Sequence, residues 1–444
     1  MNLLTGKVSR LYFKYLSAAF GSALITSIYG LVDMAMVGQY QGPEGTAALA
    51  VVAPVWNIVY SLGLLTGIGG SVLFGMVRGQ NGKNGRAENE YFTLALFGTA
   101  ALALVSWAAI LFCSEPLLRL FGAEETLLPL AQAYLQPIQY VVPVFLLNQM
   151  LAAFLRNDGA PGLATAAVLA GGIFNIFGDY FCVFTLDMGI RGAGLATAIG
   201  SVISLLVMLA HFFSRKNTLR LVRPHAPFQK LGRIAVTGFS TFFIDIAMGI
   251  LTMMFNRQIM AYLGTDALAV YGVIVNISTF AQCCAYSVGQ AAQPIISANY
   301  GAGHFGRIRR TLRYALLSVA FFAVLWTVLA LACPQLFVRI FMEPTEPVLR
   351  IAPGIIRCYG LSFLLLPLNI FSTYYFQALM KPRSAFIVSV ARGLLVSGVL
   401  IYTLPLLGGD LIWLAMPVTE LVVAVFVVWM MVRYTRALSK ESHE

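Results

Sequence analysis

Four oxygen-bearing side chains stand out because they fall within apolar stretches: Asp33, Asn175, Asp179 and Thr197. Asn175 and Asp179 are four residues apart, so on a helix they project from one face about one turn from each other. Carboxylate, amide and hydroxyl oxygens are the ligands that a hard cation such as Na⁺ prefers. Two close carboxylates in a low dielectric cannot both stay ionised at low cost, so the same pair can bind a proton instead. These residues predict a coupling site for Na⁺ or H⁺; the alternative is that Asn175 and Asp179 only join neighbouring helices.

Two further acids, Asp245 and Glu420, fall near the middle of other apolar stretches. The sequence around Asp245 mixes phenylalanine with methionine, and such a surface suits varied lipophilic cations through charge attraction and adaptable contacts. Charges in hydrocarbon also tend to pair with one another. The two acids are therefore either substrate-binding residues or partners of Arg257, Arg357 or Arg392.

Cysteine and histidine indicate no catalytic or metal chemistry. The six cysteines lie in or at the ends of apolar stretches without CxxC spacing, which is typical of buried free thiols. The four histidines fall at helix ends, in loops or in the tail, so a histidine proton relay is not expected. The motifs HExxH, GxSxG and GxxxxGK are absent from the sequence. We expect no enzyme activity and no cofactor, apart from the transported ion.

The composition places these residues in a membrane. The chain is 59% hydrophobic and 11% charged, with a mean hydropathy of +0.81, whereas an ordinary soluble domain has about 25% charged residues. Apolar stretches of about 20 residues, long enough to cross a bilayer, recur along the chain. The twelve predicted spans are Leu11–Val37, Leu49–Val77, Tyr91–Phe112, Leu128–Phe154, Gly162–Phe184, Gly192–Phe213, Ile234–Leu263, Leu268–Ala298, Leu312–Ala332, Ala352–Ala378, Ser384–Leu407 and Leu411–Val432.

The sequence repeats itself at an offset of 219 residues. GTAALAVVAPVWNI at Gly45–Ile58 and GTDALAVYGVIVNI at Gly264–Ile277 agree at eight of fourteen positions. An even number of spans separates the copies, so the halves are parallel repeats, as in many transporters with a central site. We predict an all-α integral membrane protein with twelve transmembrane helices in two pseudo-symmetric six-helix bundles. The predicted divisions are a bundle at 1–213, a cytoplasmic basic linker at 214–233 and a bundle at 234–444.

The net charge of +11 is unevenly distributed. The predicted outward loops hold only four of the 29 Lys and Arg, namely Arg119, Arg191, Arg339 and Arg350. This positive-inside bias predicts that both termini are cytoplasmic, and it explains the basic charge without nucleic-acid binding. In that topology Asp33, Asp179 and Thr197 lie at similar depth in the outer half of the membrane, with Asn175 one turn deeper.

The sequence resembles the multidrug and toxic compound extrusion (MATE) family over nearly its full length. The matching segments are Leu31–Tyr40, the repeated GTxALAV, Gly79–Asn89, Asn299–Arg310 and KPRSA at the start of the eleventh span. Asn175 and Asp179, followed by Thr197 and combined with Asp33, look like the amino-terminal cation site of many members. The resemblance implies cation-driven export of bulky, often cationic and lipophilic compounds by a monomer.

The first span lacks the proline about which helix bending is proposed for members of that family. A glycine at position 21 or 30 could still permit bending, because glycine weakens helical preference.

We therefore predict a secondary antiporter of the plasma (inner) membrane that exports organic compounds, such as drugs or toxins, in exchange for Na⁺ or H⁺. Its expected partners are an organic substrate and the lipid bilayer. One alternative keeps the architecture but makes the protein a flippase for lipid-linked saccharides. An alternative of another class, a channel or a non-transporting membrane scaffold, leaves the acid cluster unexplained.

Overall fold

The computed structural model describes residues 3–81, 85–121, 123, 125–341 and 345–440, with only the backbone at residues 43, 439 and 440. Residues 82–84 of the matching segment Gly79–Asn89 lie outside these described residues. So do residues 1, 2, 122 and 124 of the predicted bundle 1–213 and residues 342–344 and 441–444 of the predicted bundle 234–444. All regular structure within the described residues is helical.

Twelve helices of the described chain are long and apolar enough to cross a membrane, so the predicted number of spans is confirmed. They are α1 (Val8–Gly42), α2 (Glu44–Asn81), α3 (Arg86–Leu120), α4 (Leu128–Asn157), α5 (Pro161–Thr185), α6 (Ile190–Phe213), α7 (Pro227–Tyr262), α8 (Thr265–Gly301), α9 (Phe305–Ala332), α10 (Glu346–Ala378), α11 (Pro382–Leu407) and α12 (Gly409–Leu438). A further short helix, Pro334–Phe341, lies between α9 and α10.

Several helices extend beyond the predicted spans. Helix α3 continues to Leu120 rather than ending at Phe112, and α9 begins at Phe305 rather than Leu312. Hydropathy marks only the apolar part that matches the hydrocarbon layer, whereas the backbone hydrogen bonds of a helix continue into polar residues beyond it.

Proline and glycine set several helix boundaries. Pro161, Pro227 and Pro382 open α5, α7 and α11, because the first turn needs no N–H from proline and its fixed φ suits a helix. Since α7 begins at Pro227, the end of the predicted linker 214–233 is helical. Helices α1 and α2 meet at Gly42, whose φ of 68° and ψ of −155° favour glycine.

The chain forms two compact units. The first comprises Met1–Thr5 and Ser17–Phe242, and the second comprises Gly6–Leu16 and Phe243–Glu444. Within the second unit, the Tyr12 hydroxyl donates to Ser318 Oγ at 3.0 Å. The Tyr12 ring also stacks on Tyr314, with 6.1 Å between the ring centroids. The first residues of α1 are therefore packed on α9.

Within the first unit, α5 and α6 cross at glycines that allow their backbones to touch. A Cβ atom at Gly171 would lie 2.0 Å from Ser204 Oγ and 2.4 Å from the Gly200 carbonyl oxygen. A Cβ atom at Gly200 would lie 2.7 Å from the Gly171 carbonyl oxygen. Small residues let membrane helices approach this closely, and the crossing brings Asn175 of α5 next to Thr197 of α6.

The segment between α6 and α7 is fixed to the first unit by its backbone. Four of its N–H groups donate to side chains of that unit: Thr218 to Asp158 Oδ2 at 3.0 Å, Arg220 to Asn89 Oδ1 at 2.9 Å, Val222 to Thr93 Oγ1 at 3.0 Å and His225 to Glu90 Oε2 at 3.0 Å. Asn89 Nδ2 also donates to the Thr218 carbonyl oxygen at 3.0 Å. The donors at 218, 220 and 222 are every second residue, which is the hydrogen-bond spacing along one edge of an extended strand.

Asp158, in the turn between α4 and α5, joins three parts of the first unit. Its carboxylate accepts from Arg78 Nη1 of α2 at 2.8 Å and bonds to His211 Nε2 at the end of α6 at 2.7 Å. It also accepts from the Thr218 hydroxyl of the linker. Burial alone would raise the pKa of Asp158, but the hydrogen bonds from His211, Thr218 and Arg78 hold this pKa below its usual range.

Candidate functional site

The four predicted ion-site residues belong to the first unit, where α1, α5 and α6 carry them. Asn175 Nδ2 lies 2.9 Å from Thr197 Oγ1 and 3.5 Å from Asp179 Oδ1. Asp33 and Asp179 are close enough for their charges to interact. Asp179 is fully buried and Asp33 is 7% exposed. The predicted residues thus form one buried polar cluster.

Tyr134 of α4 is a further member of this cluster, and the sequence analysis missed it. Its hydroxyl donates to Asp33 Oδ2 at 2.7 Å and is also hydrogen-bonded to Thr197. A tyrosine in an apolar span resembles a packing residue. The signal that the sequence does offer is that a buried tyrosine hydroxyl needs a polar partner.

Three oxygens of the cluster are buried without a hydrogen-bond partner: Asp33 Oδ1, Asn175 Oδ1 and Asp179 Oδ2. Buried acceptors are costly when unsatisfied, and a cation or a proton would satisfy them. Neither aspartate takes part in an ion pair with another described residue. Across the described residues no three His, Cys, Asp or Glu side chains gather to hold a metal. The cluster can therefore offer two carboxylates and neutral oxygens, a set that suits Na⁺ or H⁺ better than a transition metal.

The backbone changes form immediately beyond the cluster. Residues Phe181–Thr185 at the end of α5 are a π-helix, a rare conformation that often occurs at functional sites. Past this segment, Asp187 has a φ of +53° and accepts a hydrogen bond from the Tyr40 hydroxyl at 2.5 Å. The far end of α1 is thereby bonded to the turn between α5 and α6.

The second unit pairs Glu420 with an arginine. Glu420 Oε1 accepts from Arg392 Nε at 2.7 Å, and Glu420 Oε2 accepts from Asn369 Nδ2 at 2.6 Å. Glu420 and Asn369 are fully buried, and Arg392 is 5% exposed. For Glu420, the structure therefore contains the buried ion pair that the sequence left as an alternative to substrate binding.

Asp245 of α7 differs from Glu420. It is half-buried, its Oδ2 is buried without a hydrogen-bond partner, and it joins no ion pair with the described residues. Of its other predicted partners, Arg357 donates to the Leu331 carbonyl oxygen at 3.0 Å and Arg257 is exposed. The predicted substrate-binding acids therefore have different surroundings, and Asp245 is the one without a counter-charge.

Comparison with known proteins connects both halves of the chain to one family. The MatE family profile matches residues 18–181 and 239–403. Among curated proteins, the multidrug export protein MepA of Staphylococcus saprophyticus is 24% identical over 382 residues, covering 85% of this chain and 83% of MepA.

Solved structures show the same fold. A multidrug resistance MATE family transporter of the MOP superfamily, in an outward-facing conformation, superposes with a TM-score of 0.89 at 21% identity over 99% of this chain and 98% of that one. A MOP superfamily transporter from Pyrococcus furiosus, described as having a binding pocket of reverse polarity, also gives 0.89 at 21% identity over 98% of both chains. The predicted fold class is confirmed.

Proposed function

The chain belongs to the MatE family, and from this premise we propose that it is a secondary antiporter that exports organic compounds in exchange for Na⁺ or H⁺. It is a multi-pass membrane protein with twelve apolar helices in its described part. The name of the relative MepA gives multidrug export as that protein's function, and we propose the same class of substrate here. The observation that carries the proposal is the set of unpartnered buried oxygens on Asp33, Asn175 and Asp179.

The cluster couples ion binding to the packing of the first unit. Asp33 is on α1 and Asp179 is on α5, so without a cation their like charges repel and weaken the contact between these helices. A bound Na⁺ attracts both carboxylates, and a bound proton removes one charge, so either ion favours the packed arrangement. Ion and substrate must favour different conformations of the protein, since otherwise their binding would not be coupled.

Asp245 is the acid that we assign to the organic cation. Its lack of an ion-pair partner among the described residues supports this role, because an uncompensated charge at membrane depth is a functional candidate. A negative charge would repel the phosphate of a lipid-linked saccharide, which favours export over the flippase alternative. Both carboxylate oxygens of Glu420 are already bonded, so we leave Glu420 out of the proposed substrate site.

We place the protein in the plasma membrane as a monomer, with both termini in the cytoplasm. The positive-inside bias of the loops supports this orientation, and the bacterial relative supports the choice of membrane.

The test uses purified protein in liposomes loaded with a fluorescent organic cation. Transport is followed under a Na⁺ gradient alone and then under a pH gradient alone, for wild type, Asp179→Asn and Asp266→Asn. Asp266 is an exposed acid at the start of α8 and serves as the matched control. We expect one gradient to drive movement in wild type and in Asp266→Asn, and Asp179→Asn to abolish it.

Equal transport by Asp179→Asn would remove this residue from the coupling site. If neither gradient moves any of several organic cations, the antiporter proposal is wrong, and the flippase alternative is tested next with a lipid-linked saccharide.

A further inference from the structure

Both units contain a buried polar cluster, but only the second supplies its own cation. In the first unit, Asp33, Asn175 and Asp179 each keep a buried oxygen without a partner. In the second unit, Glu420 bonds through both of its oxygens, to Arg392 and to Asn369.

The two clusters occupy equivalent helices of the repeat. The first is built from α1, α4, α5 and α6, while Asn369, Arg392 and Glu420 come from α10, α11 and α12, the counterparts of α4, α5 and α6. In both units an asparagine donates a hydrogen bond to the backbone of the sixth helix at the equivalent position. Asn148 donates to the Ser201 carbonyl oxygen and Asn369 to the Glu420 carbonyl oxygen, each at 2.9 Å, and positions 201 and 420 differ by the repeat offset.

The charges, in contrast, are not repeated. At the offset of 219, Arg392 corresponds to Ile173 and Glu420 to Ser201, so the first unit lacks this ion pair. In the same way, Asp33 and Asp179 correspond to Thr252 and Gly398, so the second unit lacks those acids. Each half therefore carries its own arrangement of charge on a shared framework.

We propose that Glu420 and Asn369 form a cation-binding site in the second unit, and that the guanidinium of Arg392 fills it as a tethered cation. The backbone supports this role, because Arg392 lies in a π-helix, Ala391–Leu395, within α11. Tyr286 and Tyr359 lie near this guanidinium. A site of this kind takes a planar monovalent cation, and free guanidinium is its soluble equivalent.

An arginine keeps its charge at every physiological pH, and its guanidinium is attached to the chain. This site therefore cannot release its cation into water or replace it with a proton. If the proposed antiport is right, coupling ions do not bind at this site, and the acids of the first unit bind them instead. This consequence rests on the proposed function, whereas the tethered cation itself does not.

The test is chemical rescue of the purified full-length protein, read as its thermal unfolding temperature in detergent. Arg392→Ala leaves Glu420 buried without a counter-charge and should lower the unfolding temperature by several degrees. Millimolar guanidinium chloride should restore part of this loss, whereas tetramethylammonium chloride, whose cation cannot donate hydrogen bonds, should not. Wild type and Arg357→Ala, which removes an exposed guanidinium from α10, should not respond to guanidinium.

A second variant covers the possibility that Arg392→Ala does not fold. Arg392→Ala/Glu420→Gln removes both charges and should be more stable than Arg392→Ala, with no response to guanidinium. The inference is overturned if guanidinium fails to stabilise a folded Arg392→Ala protein, or if the double variant is no more stable than Arg392→Ala. Since the assay measures no transport, its result is independent of whether the protein is an antiporter.

Discussion

Tyr134 positions Asp33 through a single hydrogen bond of 2.7 Å, and this contact can be removed without changing the shape of the side chain. We expect Tyr134→Phe to change ion binding roughly tenfold, because a hydrogen bond to a charged group contributes about 1.5–3 kcal/mol. Proton binding should strengthen, since the hydroxyl stabilises the ionised carboxylate, whereas Na⁺ binding should weaken, since the carboxylate loses the contact that positions it. The measurement is the ion concentration that gives half-maximal transport in liposomes. Tyr140→Phe, at a side chain that is 65% exposed, is the matched control. An unchanged ion dependence in Tyr134→Phe would mean that the hydroxyl does not support the site.

Asp158 makes the stability of the protein depend on pH. Its folded pKa is below the unfolded value, so its charge stabilises the fold above about pH 4, and this stabilisation is lost as the pH falls through the folded pKa. We expect Asp158→Asn to lower the free energy of unfolding at neutral pH by about 1–3 kcal/mol. The difference from wild type should shrink below about pH 4.

Denaturant unfolding in detergent at several pH values measures this difference. Asp410→Asn, at an exposed acid in the first turn of α12, should leave the unfolding free energy within about 0.5 kcal/mol of wild type. A loss at Asp158→Asn that stays constant down to pH 3 would contradict the assignment of the effect to the carboxylate charge.

Residue chemistry in the sequence identifies four members of the buried polar cluster but not all of its contacts. Asp33, Asn175 and Asp179 were accessible to prediction because a charge or amide in an apolar span is rare. The choice between substrate binding and ion pairing at Glu420 was not accessible, since it depends on how α11 turns its π-helical segment toward α12. Tyr134 was missed because tyrosine is as common in packing as in hydrogen bonding.

At the scale of single helices, α1 carries Asp33 of the buried polar cluster and, close to it, a glycine, which weakens helical preference. Gly30 lies three residues before Asp33, and a Cβ atom there would meet nothing within 4 Å. Gly30→Ala therefore adds no steric conflict, and it should stabilise the helix by about 0.5–1 kcal/mol. If α1 bends at Gly30 during transport, the same change should slow transport several-fold.

Gly249 of α7 is the matched control, because it is the repeat partner of Gly30 and also has open space around a Cβ atom. Transport rates and unfolding temperatures of Gly30→Ala and Gly249→Ala are compared in the same liposome and detergent preparations. Unchanged transport by Gly30→Ala would exclude bending at this residue from the rate-limiting step.

The number and order of the helices followed from hydropathy, but their ends and crossings did not. Apolar length is a direct consequence of the bilayer's thickness, so all twelve spans could be recognised. The crossing of α5 and α6 depends on Gly171 meeting Gly200, a contact between helices that no local pattern specifies. The sequence of the linker likewise indicates only a basic loop. The groups that bind it to the first unit are its backbone N–H groups, which no pattern of side chains reveals.

For the whole molecule, the orientation in the membrane can be tested directly. In a variant with the six native cysteines replaced, we expect Lys216→Cys in the linker to react with a membrane-impermeant thiol reagent only after cells are opened. Asp410→Cys, in a predicted outward loop, should react in intact cells. Both native side chains are exposed, so accessibility within the protein does not limit either reaction. The reverse labelling pattern would invert the proposed topology.

The linker also has a bearing on the order in which the protein assembles during synthesis. Its anchors Asn89, Glu90, Thr93 and Asp158 all precede it in the chain, so the ribosome has delivered every partner by the time His225 emerges. The linker can therefore dock before α8 to α12 exist, since domains fold from the amino terminus as they are made. The opposite holds for Tyr12, whose partners Tyr314 and Ser318 are translated some 300 residues later. The amino-terminal end of α1 is thus made long before its partners on α9, and nascent chains halted before α9 should leave it open to protease.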